Sequence, residues 1–126
     1  MAVVELTKDN FEDVVTNNEF VIVDFWAPWC APCRSFAPTY EKVSEDHPDV
    51  VFAKVNTEDE QEIAGHFQIR SIPTLMIFRD KIIIFSEAGA LPESGFRELV
   101  AKAGELDMDE VRRQVAEQQS SEQGQA

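Results

Sequence analysis

The sequence predicts an α/β domain with a central mixed β-sheet and helices on both of its faces. Short apolar runs rich in β-branched residues alternate with helical patterns, and the last two runs are only three residues apart. A chain of 126 residues can bury one core without help from a metal or a permanent disulfide. We therefore expect one domain over residues 1–104 and an acidic extension over residues 105–126.

Five segments are predicted to be β-strands. The run FVIVDFW at residues 20–26 has no polar alternation, which is typical of a strand buried on both faces. The runs at 74–78 and 82–85 are too close for a crossover helix, so they predict an antiparallel hairpin. The other two strands are expected at residues 3–5, at the sheet edge, and at 50–55.

Helical spacing of apolar residues predicts the elements between the strands. Thr7 is the expected N-cap of the first helix, Pro38 is expected to kink the second, and Gly104 suits the end of the fourth. A fifth, short helix is expected at about residues 107–117, followed by a disordered polar tail. The first four helices are predicted at residues 9–17, 31–46, 58–67 and 92–103.

The charge and the apolar pattern exclude several classes of protein. A formal net charge of −13 would repel nucleic acid rather than neutralise it. No apolar run approaches the roughly 18 residues of a membrane span. The N-terminal MAVVELTKDN has neither the basic start nor the apolar stretch of a signal peptide, so we expect a cytoplasmic protein.

Both cysteines of the chain lie in WAPWCAPC at residues 26–33, where a predicted strand meets a predicted helix. Such a pair is part of a metal-binding site, a structural disulfide or a redox centre, and a reducing cytosol disfavours the structural disulfide. A metal site needs two more ligands, and the spacing of His47 and His66 fits no finger pattern. A helix N-terminus lowers a thiol pKa, which favours Cys30 as an attacking thiolate and Cys33 as the resolving thiol.

Asp24 is the only charge in the buried run at residues 20–26, and Lys54 lies in the next strand. Burial should raise the pKa of Asp24, so its carboxylate is a candidate proton acceptor for the second thiol. The residues alone leave two alternatives open, namely a buried ion pair with Lys54 or a strand-end charge that points to water.

Several motifs together resemble the thioredoxin family. Besides WAPWCAPC, the segments VDFWA (23–27), AKVN (53–56), IRSIPT (69–74) and GALPESGF (89–96) occur in the family's order and at its intervals, over about residues 3–104. The resemblance implies the thioredoxin fold and a dithiol–disulfide oxidoreductase that reduces protein disulfides. It implies disulfide-containing clients and an NADPH-dependent thioredoxin reductase, a flavoprotein, as electron donor. We expect a monomer with no cofactor and no metal of its own.

The same resemblance implies roles for individual residues. Cys30 and Cys33 match the nucleophile and the resolving thiol, and Asp24 and Lys54 match the buried acid and its lysine neighbour. Trp26 and Pro38 are expected to be structural neighbours of the site. Pro73 matches a proline preceded by a cis peptide bond, which leaves the Ile72 backbone free to pair with a client. The implied client surface consists of Trp29, Ala31, Pro32, Ile72, Pro73, Gly89 and Ala90.

The chain departs from the family pattern at three places. Ala31 stands where the family usually has glycine, and Ser71 stands where it often does. The redox potential and the docking of clients can therefore differ from those of other family members. The extension at residues 105–126 lies beyond the usual end of the domain. One alternative function is therefore a redox-independent binding module on the same fold, and another is an oxidant or isomerase.

Overall fold

The computed structural model describes residues 3–124, and side chains are described through residue 119. A five-stranded sheet in the order β1-β3-β2-β4-β5 is flanked by helices, as the sequence predicts. The elements in chain order are β1 (Val3–Glu5), α1 (Phe11–Thr16), β2 (Phe20–Trp26), α2 (Ala31–Glu45), β3 (Val51–Asn56), α3 (Gln61–His66), β4 (Thr74–Arg79), β5 (Ile82–Ala88), α4 (Glu93–Glu105) and α5 (Met108–Gly124).

The sheet is mixed because its strands run in two directions. β1, β3 and β2 are parallel, whereas β4 is antiparallel to β2 and forms the predicted hairpin with β5. The carboxyl end of β2 at Trp26 therefore lies beside the beginning of β4 at Thr74. This arrangement brings the loop that contains both cysteines next to the Ile72–Pro73 segment.

Two apolar cores lie on opposite faces of the sheet, because side chains alternate along each strand. Ile22 and Phe52 point into the core formed with α2 and α4. Val23 and Phe25 point into the other core, which α1 and α3 cover. Burial on both faces explains why β2 reads as an uninterrupted apolar run.

Helices α1 and α3 begin later than the sequence predicts. α1 begins at Phe11 rather than at residue 9, because Thr7 closes the preceding turn: its Oγ1 accepts the Asp9 N–H at 3.2 Å. Thr7 is therefore not the N-cap, which is Asn10. α3 begins at Gln61 rather than at 58, because Asn56 Oδ1 accepts the N–H of Glu58 at 3.0 Å and holds a turn there.

α2 continues through Pro38 without interruption, whereas α4 runs past its predicted end. Gly104 lies inside α4, and Leu106 is the C-cap. A Cβ at Gly104 would lie 3.4 Å from the Phe20 ring, which is an ordinary van der Waals contact, so Gly104 is neither a helix stop nor required by packing. Arg79 donates to the Ala103 carbonyl, which satisfies a backbone acceptor in the last turn of α4.

The extension contains a longer helix than predicted. α5 runs from Met108 to Gly124, so the expectation of disorder after residue 117 is wrong for residues 118–124; residues 125–126 lie outside the described part of the chain. Met108 is buried, and Arg112 pairs with Asp80 in the β4–β5 turn. None of the helices within residues 3–124 has the length and apolar character needed to cross a membrane.

Candidate active site

Cys30 is the N-cap residue of α2, at the junction that the sequence predicts. Its sulfur accepts the backbone N–H of Cys33 at 3.2 Å, so one unpaired donor of the helix end points at this atom. Pro32 lies in the first turn, where no intrahelical N–H bond is lost. The two cysteines form a disulfide, with 5.2 Å between their Cα atoms. The pair is thus placed for reversible oxidation at a position that stabilises a thiolate.

Both cysteines are largely covered in this oxidised state. As whole residues, Cys30 is 5 % exposed and Cys33 is 2 % exposed. Trp29, immediately before Cys30, is 66 % exposed. Trp29 is therefore the most exposed large apolar side chain beside the cysteine pair.

Asp24 lies beneath this site and is 4 % exposed. Burial raises the pKa of Asp24 from 3.8 to about 7, and the positive charge of Lys54 opposes part of that rise. Asp24 Oδ1 has no hydrogen-bond partner among the described residues. A cavity of about 90 Å³ is lined by Asp24 together with Cys33 and Tyr40. The carboxyl group therefore lines the same space as Cys33 and can exchange a proton near neutral pH.

Lys54 is opposite Asp24 in the sheet but forms its ion pair elsewhere. The strand register places Asp24 beside Lys54, so the two side chains leave the same face of the sheet. The Lys54 ammonium lies 3.9 Å from Glu5 Oε2 and 4.8 Å from the centre of the Trp26 ring. Lys54 thus acts on Asp24 through its charge, while its ion pair is with Glu5.

The Ile72–Pro73 peptide bond is cis, and it lies against the cysteine loop. The Ile72 carbonyl oxygen is 3.8 Å from Cys30 Sγ. The N–H of Gly89 donates to the Pro73 carbonyl at 2.8 Å, which ties a third loop to the first two. Gly89 has φ +114°, a conformation that L side chains rarely adopt. The hydrogen bond and this backbone angle together fix the loop that follows β5.

The residues of the expected client surface differ in exposure. Ile72 is half-buried and Pro73 is buried, so the Pro73 side chain offers little surface to a second molecule. Trp26 is half-buried beside the site, and its indole N–H is buried with no hydrogen-bond partner among the described residues. The exposed members are Trp29, Ala31, Pro32, Gly89 and Ala90.

Sequence reasoning missed two polar residues near Asp24. The spacing of α2 places Tyr40 among its apolar positions, yet the Tyr40 hydroxyl shares its proton between the carbonyl oxygens of Ile22 and Ala53, at 2.9 and 2.7 Å. Burial and the nearby Asp24 raise the pKa of Tyr40 well above its ordinary value. Glu5 was treated only as part of an edge strand. The one sequence signal for a polar role was a tyrosine on the otherwise apolar stripe of α2. Glu5 gave no such signal, because only the pairing of β1 with β3 places it beside Lys54.

Two further features were found within residues 3–124. No group of three or more His, Cys, Asp or Glu suited to a metal ion occurs in the described part of the chain. A larger groove of about 520 Å³, with Phe11 and Phe67 in its lining, lies between α1 and α3. It includes neither cysteine and is separate from the cavity beside Asp24.

Comparison with known proteins agrees with this geometry. The sequence model of the thioredoxin family matches residues 2–102. The chain is 56 % identical over 117 residues to a candidate thioredoxin of Streptomyces coelicolor, covering 93 % of this chain and 87 % of that protein. It is 36 % identical over 103 residues to a Bacillus subtilis thioredoxin, covering 81 % of this chain and 98 % of the relative.

A solved thioredoxin structure has the same fold. The structure of Plasmodium falciparum thioredoxin superposes with a TM-score of 0.74 at 33 % identity, covering 79 % of this chain and 97 % of that one. Because the family model stops at residue 102, most of α4 lies within it and α5 lies outside. The match to the Streptomyces protein is long enough that it necessarily extends past residue 104.

Proposed function

Since the chain belongs to the thioredoxin family and is therefore a dithiol–disulfide oxidoreductase, we propose that Cys30 attacks client disulfides and that Cys33 resolves the product. The observation that carries these roles is the hydrogen bond from the Cys33 N–H to Cys30 Sγ at the start of α2. A donor aimed at sulfur stabilises the thiolate relative to the thiol. Cys33 lies one turn deeper and is held within bonding reach.

The first step forms a mixed disulfide. The Cys30 thiolate attacks one sulfur of the client disulfide, a new S–S bond forms, and the client's own S–S bond breaks. The departing client sulfur leaves as a thiolate and takes a proton from solvent. One client sulfur is now a thiol, and the other is joined to Cys30 in a mixed disulfide, so the client gains its full two electrons only when the second step breaks that bond.

The second step releases the client, and Asp24 is the group that we assign to its proton transfer. Cys33 must lose its thiol proton before its sulfur can attack Cys30 Sγ, and the Asp24 carboxylate faces the same cavity. With a pKa of about 7, Asp24 is partly ionised at neutral pH and can accept that proton. The Cys30–Cys33 disulfide then forms, and the second client sulfur leaves as a thiolate.

Client binding is assigned to the exposed edge around Cys30. Trp29 supplies an apolar contact, and the Ile72 backbone beside Cys30 can pair with an extended client segment. Backbone pairing and a small apolar surface place few demands on client sequence. We therefore propose a broad range of flexible, disulfide-containing client proteins.

Recharging of the oxidised pair requires an external electron donor. We propose an NADPH-dependent thioredoxin reductase, a flavoprotein, as this donor, because the family commonly uses one and this chain shows no dinucleotide-binding motif of its own. We further propose that the cycle operates in the cytoplasm, where such a donor maintains a reducing environment.

Paired serine variants test the assignment of the two sulfurs. We expect Cys30→Ser to abolish insulin reduction, because no thiolate remains to attack. Cys33→Ser should still attack but accumulate a mixed disulfide, which non-reducing electrophoresis detects as a covalent adduct. The two variants control for each other, since each removes one thiol from the same loop. Turnover by Cys30→Ser at the wild-type rate would refute the assignment.

A further inference from the structure

Three charged residues form a row across the three parallel strands. The register pairs Glu5 of β1 with Lys54 of β3, and Lys54 with Asp24 of β2. Neighbouring strands are about 4.8 Å apart, so the two carboxyl groups flank one ammonium group at similar backbone spacing. Lys54 can therefore pair with either acid, and the structure shows it paired with Glu5.

The two acids differ in their surroundings. Glu5 is 53 % exposed at the sheet edge, Lys54 is 37 % exposed, and Asp24 is buried. The structure places the Lys54 ammonium 3.9 Å from Glu5 and over the Trp26 ring. Asp24 Oδ1 remains without a hydrogen-bond partner among the described residues. The cation is thus held on the outer side of the row.

Other polar groups near Asp24 do not replace this cation. The Tyr40 hydroxyl is committed to two strand carbonyls, and Cys33 is in the disulfide. Arg34, which also lines the cavity, donates to the Pro28 carbonyl at 2.9 Å. The charged and titratable groups that line the cavity with Asp24 are Lys54 of β3 and Cys33, Arg34, Tyr40 and Glu41 of α2. Lys54 is therefore the cation whose position bears most directly on the proton affinity of Asp24.

We propose that Glu5 is a positioning residue for disulfide exchange: it draws the Lys54 ammonium away from Asp24 and so keeps the Asp24 carboxyl without a close cation. Glu5 touches neither sulfur nor client, and it acts through Lys54. The consequence is that Asp24 holds its proton to a higher pH than it would beside a fully available lysine. This inference rests on the proposed role of Asp24 in proton transfer.

The test is the titration of Asp24 in Glu5→Gln, followed by carboxyl ¹³C NMR on the oxidised protein. Cys30 and Cys33 do not titrate as a disulfide, so the curve for Asp24 is free of their charge. Glutamine cannot hold the ammonium electrostatically, so Lys54 becomes available to the ionised Asp24. We expect the Asp24 midpoint to fall by about 0.5 pH unit, as for a cross-strand charge pair. The pH midpoint for release of the mixed disulfide should fall by the same amount.

Glu19→Gln is the matched control. Glu19 is exposed just before β2, five residues and about 16 Å of strand from Asp24, so its loss changes net charge equally without touching the row. We expect no change in the Asp24 midpoint. A fall equal to that in Glu5→Gln would show a general charge effect and overturn the proposal.

A double-mutant cycle shows whether Glu5 acts through Lys54. Lys54→Met alone should raise the Asp24 midpoint, and adding Glu5→Gln to it should change the midpoint by less than the single Glu5 change does. Equal effects in both backgrounds, or no effect of Glu5→Gln at all, would overturn the proposal. The NMR titration does not depend on catalysis. An unchanged mixed-disulfide lifetime in Asp24→Asn, with the titration as expected, would instead refute the role of Asp24 in proton transfer.

Discussion

Asp24→Asn removes a carboxyl group from the protein interior, and we expect it to stabilise the fold at neutral and alkaline pH. The pKa of Asp24 is raised from 3.8 to about 7, chiefly by burial. Between these values the folded protein holds a proton that the unfolded chain has released, so wild-type stability falls as pH rises. The loss is complete above pH 7. Below pH 3.8 both states are protonated and no penalty exists.

The size of this effect follows from the same interval. At about 1.4 kcal/mol for each pH unit, the span from 3.8 to about 7 corresponds to roughly 4 kcal/mol. Asparagine is similar in size and uncharged, so it avoids the cost of a buried anion. We therefore expect the advantage of Asp24→Asn to be roughly 4 kcal/mol larger at pH 8 than at pH 4.

Urea denaturation of the oxidised proteins at pH 4 and pH 8 measures this difference. Asp49→Asn is a suitable control, because Asp49 is exposed in the turn before β3 and lies away from the cavity. This control should follow the wild-type dependence on pH. If Asp24→Asn and wild type lost the same stability between pH 4 and pH 8, the reasoning from burial would be refuted.

Two further variants test the packing around the site and the extension. Tyr40→Phe leaves two strand carbonyls without the hydroxyl, and it should cost about 1 to 2 kcal/mol in urea denaturation; an unchanged midpoint would show that these bonds add no net stability. Met108→Ala empties a buried contact of α5 and should cost about 2 to 3 kcal/mol. The rate of insulin reduction by Met108→Ala should match that of wild type. The Arg112–Asp80 pair joins α5 to the β4–β5 turn, and this turn follows the end of β4 that is opposite Thr74 and the cysteine loop. Lost activity in a folded Met108→Ala variant would contradict this.

Much of the fold could be predicted from local pattern. The uninterrupted apolar run of β2 indicated a strand covered on both faces, and the three residues between the last two runs required a hairpin. The element ends were less accessible, because they depend on single contacts. The Asn56 side chain delays the start of α3, and α4 continues past Gly104 to Glu105.

The extension shows a different limit of sequence reasoning. Its polar, low-complexity composition suggested disorder, but glutamate and glutamine also favour helices. Arg113 pairs with Glu110 one turn before it and lies 3.8 Å from Glu117 one turn after it, which supports the helix locally. Composition alone does not separate these two outcomes.

The site was predictable in its cysteines and only partly in its electrostatics. The spacing of Cys30 and Cys33 at a strand–helix junction indicated redox chemistry. The sequence also suggested Lys54 as the partner of Asp24, but it could not show that Glu5 competes for the same ammonium. That competition depends on the parallel pairing of β1 with β3, which is a property of the assembled sheet.

The most direct test of the account is the pH dependence of Cys30 alkylation in the reduced protein. Mass spectrometry can follow the reaction of Cys30 with iodoacetamide separately from that of Cys33. We predict a midpoint clearly below the value of about 8.5 for an ordinary cysteine, because the start of α2 and the Cys33 N–H stabilise the thiolate. A midpoint at or above that of free cysteine, or no reaction at Cys30 in the folded protein, would contradict the account.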